Sequence, residues 1–455
     1  MSRSDPMRSP ALRLTRHELD NGLVVVHQPS PPNSVTFAVS WVGEGGTSRD
    51  PEGKEGVATS LSRLLNAGTR RRSKRDFARE IDRLAATFSA RASWERLEIE
   101  AGGPQAAQQD VLALVFEALT EPRLESTELQ RVRREMREGL LREATQPDER
   151  ADRVFLERLL PIGHPYRRNP LGSPRSLDRL SREDLVRFHR QHLTARGSLL
   201  VVTTPDVPAT LLRKLRGTFG TLDGTSPRGP PTVPEIRPRA DGRRRGELHY
   251  ISVPGTSQVE VVVGGNAPPR RHEDFAALTL ANEILGGRSV LSRLFQDVRE
   301  KEGLAYGASS ELESLSWAGL WTADAGTDPK HVQTVHHLLV DEVRRLGERG
   351  PSTQELERIR ESFLGSLPLM LETSSQAHGL AVEVGYFDLP LDHFQQWPVA
   401  LRALTPSDIR RVTQEHLWDG GPPLAVAVGP PLKDRHSDGA TRRSGGRSAA
   451  SADHA

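Results

Sequence analysis

Two stretches of roughly 200 residues in this chain close with the same helix-then-strand pattern. In the first, a helical pattern over residues 182–192 leads to an apolar strand at 198–203. In the second, a helical pattern over residues 405–417 leads to a strand at 425–428. A repeat of this length constrains the fold strongly, because each copy must build the same layers of sheet and helix. We predict an internal duplication into two αβ units.

Composition places the boundaries of these units. Residues 217–246 are rich in Pro, Gly, Ser and Arg without sustained periodicity, which is typical of a linker. We therefore predict a first domain at 12–216 and a second at 247–430. The ends, 1–11 and 431–455, lack the apolar content of a core and are predicted to be disordered.

The segment from Gly56 to Thr69 is a helix in an ordered frame of other signals. A strand, an Asn21–Gly22 turn and further strands precede it, followed by a glycine-rich loop at 45–56. Taken alone, the segment is equally well an ordinary amphipathic helix whose apolar side chains face a core. Its surroundings are more informative than the helix itself.

This frame resembles the first half of the pitrilysin/insulinase superfamily of zinc metallopeptidases, which includes the mitochondrial processing peptidase and small two-subunit bacterial relatives. The resemblance covers about residues 12–430. It implies an α+β fold with two homologous αβ domains, each a mainly antiparallel sheet packed with helices, together forming half of a peptidase clamp. Active members carry H-x-x-E-H on this helix, where two histidines bind zinc and the glutamate is the general base.

The family motif falls here on residues that cannot bind zinc. Thr59 and Arg63 stand at the two histidine positions, and Ser62 at the glutamate position. The third ligand position, 76 residues beyond Arg63, is Gly139, and its neighbour Glu138 would serve only after a slip of register. Residues 28–163 contain no histidine, so a shifted alignment restores nothing. We expect no catalytic residue and no metal in this chain.

A second family motif is intact in residues 286–306. The resemblance implies that Arg299 and Tyr306 reach a substrate held at the zinc site of an opposing domain. An arginine offers planar donors to a peptide carbonyl, and a tyrosine hydroxyl can donate to a developing oxyanion. Gly303 is predicted to end the helix between them. The alternative is that Arg299 pairs with a nearby acid and Tyr306 only packs. The pair Gly286–Gly287 is too short for the glycine-rich presequence loop of the processing peptidase.

Other candidates are weaker. His189 and His192 share a helix face, where packing is a better explanation than metal binding. His331, His336 and His337 lie among polar residues and are expected to be solvated. Residues 89–94 lie where the family's edge strand pairs with substrate, although any exposed edge strand shows the same polar alternation.

Charge and composition exclude several function classes. Lys and Arg total 62 against 60 Asp and Glu, a net charge of +2, so nucleic-acid binding is not indicated. The chain has no cysteine and no stretch approaching the ~18 apolar residues of a membrane span. Residues 1–6 show no apolar core region of a signal peptide, so a cytoplasmic location without membrane attachment is expected.

The zinc-binding motif is lost in this chain, while the Arg299 and Tyr306 motif is retained. This combination suggests that the zinc site and the substrate-binding residues lie on different chains. We expect this protein to be the noncatalytic half of a heterodimer whose zinc is held by a paralogous partner carrying H-x-x-E-H, with peptides as substrate. A structural or assembly subunit is the alternative from another class, and an enzyme with a relocated metal site is the third. The identity of the partner, the choice between a homodimer and a heterodimer, and the peptide sequence are not encoded in these motifs.

Overall fold

The computed structural model describes residues 12–30, 34–205, 208–225, 233–234, 246–287 and 290–432. The predicted disordered N-terminus, most of the predicted linker and nearly all of the predicted tail lie outside these ranges. The segment Phe219–Thr221, which was assigned to the linker, forms a short 3₁₀ turn whose Phe219 is fully buried in the first core. The packing of the first unit therefore continues past residue 217.

The first unit is built on a six-stranded sheet with the order β1-β2-β6-β3-β5-β4. Neighbouring strands are antiparallel except for the parallel pair β2 and β6. The strands are β1 Thr15–Glu18, β2 Val24–Pro29, β3 Thr36–Gly43, β4 Thr87–Ala92, β5 Leu97–Pro104 and β6 Leu199–Thr204. Every residue of β6 is buried, as expected for a central strand covered on both faces.

The second unit is built on a five-stranded sheet with the order β7-β11-β8-β10-β9. Its one parallel pair is β7 with β11. The strands are β7 Leu248–Ser252, β8 Val259–Ala267, β9 Ala305–Ser314, β10 Gly319–Thr327 and β11 Leu424–Gly429. This order repeats that of β2-β6-β3-β5-β4, including the position of the parallel pair, which confirms the α+β fold of two similar halves.

The helices repeat in the same order. In the first unit they are α1 Val57–Leu65, α2 Lys74–Arg83, α3 Gln108–Thr120, α4 Ser126–Thr145, α5 Pro147–Leu159, α6 Pro174–Arg179, α7 Arg182–His192 and α8 Pro208–Arg216. In the second they are α9 Phe275–Leu285, α10 Val332–Arg349, α11 Thr353–Ser366, α12 Ser374–Tyr386, α13 His393–Ala403 and α14 Pro406–Val412. A π-helical segment, Phe295–Lys301, takes the place of α2 in the second unit.

One face of each sheet packs on helices of its own unit, and the other face is covered by a helix from the other unit. Apolar residues of α12 pack on β2, β3 and β6, and apolar residues of α5 pack on β8 and β11. Close approach requires glycine at both contacts. A Cβ on Gly385 would lie 2.7 Å from Leu199, and one on Gly264 would lie 2.9 Å from the ring of Phe155. The two units therefore exchange equivalent helices.

The two sheets also meet at the tips of their equivalent hairpins. Glu95, between β4 and β5, is buried at 3% exposure, and its carboxylate accepts the backbone N–H of Ser316 at 2.9 and 3.0 Å. Ser316 lies between β9 and β10. The hydroxyls of Tyr166 and Tyr386 also donate to Glu95. This carboxylate therefore links the two hairpins through neutral donors.

Candidate functional site

Helix α1 is held at its N-terminus by a buried carboxylate. Gly56 has a left-handed backbone, with φ of 94°, which favours glycine. Asp50 then accepts the N–H groups of Gly56 at 2.6 Å and Ala58 at 3.0 Å. Burial raises the pKa of Asp50 to about 7, against the opposing effect of these two hydrogen bonds. The helix start is thereby fixed relative to the loop before it.

The side chains at the motif positions of α1 are engaged within the protein. Thr59 donates its hydroxyl to the carbonyl of Pro170 at 2.6 Å, and Ser62 donates to the carbonyl of Thr59 at 3.0 Å. Arg63 is partly exposed and lies 3.9 Å from a carboxylate oxygen of Glu135 on α4. Two hydroxyls that donate to main-chain carbonyls and a permanent cation form no ligand set for a dication.

Helix α4 places Gly139, not Glu138, on the side that faces α1. Gly139 is buried and Glu138 is exposed. A Cβ at position 139 would lie 2.9 Å from a methyl carbon of Leu171, which follows the Pro170 that bonds Thr59. Residues 170–171 thus lie between the motif positions of the two helices. The structure brings all four predicted positions into one region, and that region holds no metal-ligand geometry.

Arg299 lies near the end of the π-helical segment. Its guanidinium carbon is 4.8 Å from the ring centroid of Phe295, and its Nε is 3.9 Å from Glu300. The side chain is 41% exposed, so its guanidinium is accessible to solvent. Gly303, at φ of 61°, follows this segment as predicted, and β9 begins at Ala305. The predicted contact of Tyr306 concerns a side chain outside the described part of the structure.

Sequence comparison decides the family. Residues 24–174 match the family described as "Insulinase (Peptidase family M16)", and residues 179–363 match "Peptidase M16 inactive domain". The chain belongs to the M16 peptidase family. Among curated relatives, an uncharacterized zinc protease of Streptomyces coelicolor is 26% identical over 93% of this chain and 90% of its own. The probable mitochondrial-processing peptidase subunit beta of Schizosaccharomyces pombe is 24% identical, covering 88% of each chain.

Solved structures share the M16 fold. A peptidase M16 inactive domain from Pseudomonas fluorescens aligns with a TM-score of 0.84 at 21% identity, covering 92% of this chain and 98% of that one. A Helicobacter pylori protease aligns with a TM-score of 0.80 at 20% identity, covering 92% and 100%. The periplasmic protease PqqL of Escherichia coli gives 0.76 at 15% identity, and the match covers only 45% of that longer chain.

A different group of side chains in this M16 protein is the one that approaches metal-ligand spacing within the described ranges. His272, Asp274 and His416 offer ligand atoms within 4.8 Å of one another. Arg411 already donates to both carboxylate oxygens of Asp274, at 2.6 and 3.1 Å, and His416 lies 2.9 Å from one of them. These residues are scattered along the sequence and follow no motif, so they were not predicted.

The histidines that were considered from the sequence differ in their burial and contacts. His189 bonds the carbonyl of Leu119 at 2.7 Å, and His192 packs on Phe188, in keeping with the packing interpretation. The prediction that His336 is solvated is wrong, because it lies on the buried face of α10 at 5% exposure. Burial lowers its pKa to about 4.

An acidic surface of the second sheet is a feature that the sequence analysis missed. Glu311 and Glu313 alternate along edge strand β9, next to half-buried Glu260 and Asp324. Burial, reinforced by Asp324 and by Asp148 and Asp152 of α5, raises the pKa of Glu260 to about 8. A cavity of about 160 Å³ adjoins Glu311 and Glu313 and is walled by Trp94 and Phe155. The alternation Glu-x-Glu in a strand was the available signal.

No helix in the described ranges combines the length and apolar character needed to cross a bilayer.

Proposed function

We propose that this chain is the noncatalytic subunit of a heterodimeric zinc peptidase, and that it binds and positions peptides for a partner carrying H-x-x-E-H. The observation that carries this proposal is the state of the motif positions. Thr59, Ser62 and Arg63 contact main-chain carbonyls or an acid of the same chain, and Gly139 has no side chain to offer. A family fold retained without its metal ligands favours a role beside an active chain.

The comparisons support a role for this chain as one half of a larger peptidase. The chain aligns with less than half of the PqqL chain, and a relative is named as a subunit of a processing peptidase. In the proposed complex, Arg299 contributes a fixed cation with planar donors for a substrate carbonyl. Tyr306 contributes a hydroxyl that donates to the oxyanion formed during hydrolysis at the partner's zinc.

The test is cleavage of a quenched peptide by the chain alone, by a paralogue with H-x-x-E-H, and by the two together. We expect activity only from the pair. Arg299→Ala should lower kcat/KM of the pair by about tenfold, because a charged donor to a substrate carbonyl is lost. Lys301→Ala is the matched control, since Lys301 is an exposed cation on the same segment that pairs with Asp297.

Two results would overturn the proposal. Activity of the purified chain alone that a chelator abolishes would show a relocated metal site. Equal activity of the pair with Arg299→Ala and with Lys301→Ala would remove the assigned role. If, in addition, the chain copurifies with a larger assembly and Tyr306→Phe leaves proteolysis unchanged, the alternative of a structural or assembly subunit is supported.

A further inference from the structure

Strand β4 lies at the edge of the first sheet, with β5 as its one neighbour among the described strands. In an antiparallel pair, successive residues of an edge strand point their N–H and C=O groups alternately toward the neighbour and away from it. Outward-pointing groups are a template for any extended peptide. Whether β4 accepts a peptide therefore depends on what its outward groups already contact.

The central outward-pointing residue of β4 is already paired. Asn66, directly after α1, accepts the N–H of Ala90 through Oδ1 at 3.0 Å and donates from Nδ2 to the carbonyl of the same residue at 3.0 Å. A side-chain amide has the same donor and acceptor as a peptide group, so this pair reproduces one rung of a β-ladder. Nδ2 also donates to the carbonyl of Ser62 at 2.9 Å, which fixes the orientation of the amide.

The equivalent strand of the second unit is capped in the same place. Ser310 of β9 donates its N–H to the carbonyl of Gly286 at 2.8 Å, and its carbonyl accepts from Asn282 at 3.3 Å. The capping groups again come from the first helix of the unit and the residue that follows it, here α9 and Gly286. Two units with little sequence in common thus occupy the same rung by different residues.

We propose that Asn66 acts as an internal substitute for a substrate strand and excludes extended peptides from β4 in this chain. Outward-pointing positions on an antiparallel strand recur every second residue, so positions 88, 90 and 92 would form the ladder with a peptide. Because Asn66 already pairs with Ala90, a peptide could pair only at positions 88 and 92, which are not consecutive rungs of a ladder. Asn66 itself is exposed, so its removal opens the edge directly to solvent. In the proposed heterodimer, peptide pairing is thereby left to the partner's edge strand.

The experiment follows amide hydrogen exchange at Ala90 in the purified chain. The probe is a synthetic peptide of alternating threonine and valine with lysine at each end, at millimolar concentration. Without it, Asn66→Ala should speed exchange at Ala90 at least tenfold relative to the natural protein. With it, exchange at Ala90 should slow at least threefold in Asn66→Ala and stay unchanged in the natural protein. Ser89→Ala, an exposed change on the same strand, is the control and should behave as the natural protein.

Unchanged Ala90 exchange in Asn66→Ala would overturn the inference, and so would peptide protection of Ala90 in the natural protein or its absence in the variant. Exchange at Val201 of the central strand β6 reports whether the variant is folded. If it is not, Asn66→Ser, whose shorter side chain cannot span both groups of Ala90, replaces it with the same expectations. The test uses this chain alone, so its failure is independent of whether a peptidase partner exists.

Discussion

At the scale of single residues, the space between the four motif positions is filled by ordinary packing. Leu171 lies against Gly139, and the carbonyl of Pro170 takes the hydroxyl of Thr59. Introducing zinc ligands at these positions would therefore require both new side chains and room beside Leu171. The four substitutions Thr59→His, Ser62→Glu, Arg63→His and Gly139→Glu supply only the first.

We expect this fourfold variant to bind Zn²⁺ weakly, because a side chain at 139 must displace Leu171. Adding Leu171→Ala should tighten binding at least tenfold, measured by competition with a chromogenic chelator. Leu171→Ala alone is the control and should hold no zinc at this site. Equal affinity of the fourfold and fivefold variants would show that Leu171 moves aside at no cost.

Glu95 is the second residue with a predicted effect. Its replacement by alanine leaves two tyrosine hydroxyls and the N–H of Ser316 without their acceptor. Buried donors that lose a charged acceptor cost about 3 kcal/mol in the free energy of unfolding. Tyr386→Phe removes one donor and should cost about 1 kcal/mol. Urea denaturation measures both, and a change below about 0.5 kcal/mol for Glu95→Ala would contradict the proposed linkage.

At the scale of elements, α12 is fixed to the first sheet by a buried histidine. His378 lies between Ser40 of β3 and Thr203 of β6, at 2.9 and 2.8 Å from their hydroxyls. The arrangement of a serine and a histidine is typical of hydrolases, but here it is sealed from solvent. It joins one unit to the other and has no access to a substrate.

Burial lowers the pKa of His378 to about 4, from 6.5 in the unfolded chain. Between these values the unfolded state binds a proton that the folded state does not, so stability is retained above pH 6.5 and lost as pH falls toward 4. His378→Gln removes this group. We expect the loss of unfolding free energy between pH 7 and pH 5 to be smaller in the variant by about 2 kcal/mol. Parallel pH profiles for the two proteins would exclude this role.

The elements themselves were largely predictable, and their partners were not. The helix at 182–192 was predicted to the residue because its apolar periodicity is regular. Helix α11 ends at Ser366, and a 3₁₀ turn at Leu369–Leu371 follows Pro368, which has no N–H to continue the α-helical hydrogen bonds. Helices α5 and α12 were not assigned. Periodicity shows that a face is buried, but not which sheet covers it.

The candidate site was predictable where a motif fixes the count of residues. Thr59, Ser62 and Arg63 were placed by spacing on one helix, and the structure puts Gly139 beside them. Asn66 and Glu95 gave no such signal. An exposed asparagine after a helix and an acid in a hairpin loop look like surface residues until the strands and tyrosines that meet them are assembled.

At the scale of the whole molecule, the exchange of α5 and α12 makes the two units interdependent. A chain divided at residue 238, between the units, should give two fragments that each expose one sheet face and one apolar helix. We expect each fragment alone to aggregate or to lack a cooperative thermal transition. Fragments refolded together should form a 1:1 complex, measured by light scattering and circular dichroism. A cooperative transition near that of the intact protein in either fragment alone would contradict this interdependence.

The exchanged helices also bear on how such a chain can arise. A single ancestral unit with its α5-type helix turned outward could not have covered its own sheet. It would have folded as a two-fold symmetric dimer in which each copy lent that helix to the other, a form of domain swapping. Fusion of two such copies would place each sheet and its covering helix in a single chain, and each half would then be free to lose a function that the other half, or another chain, retained.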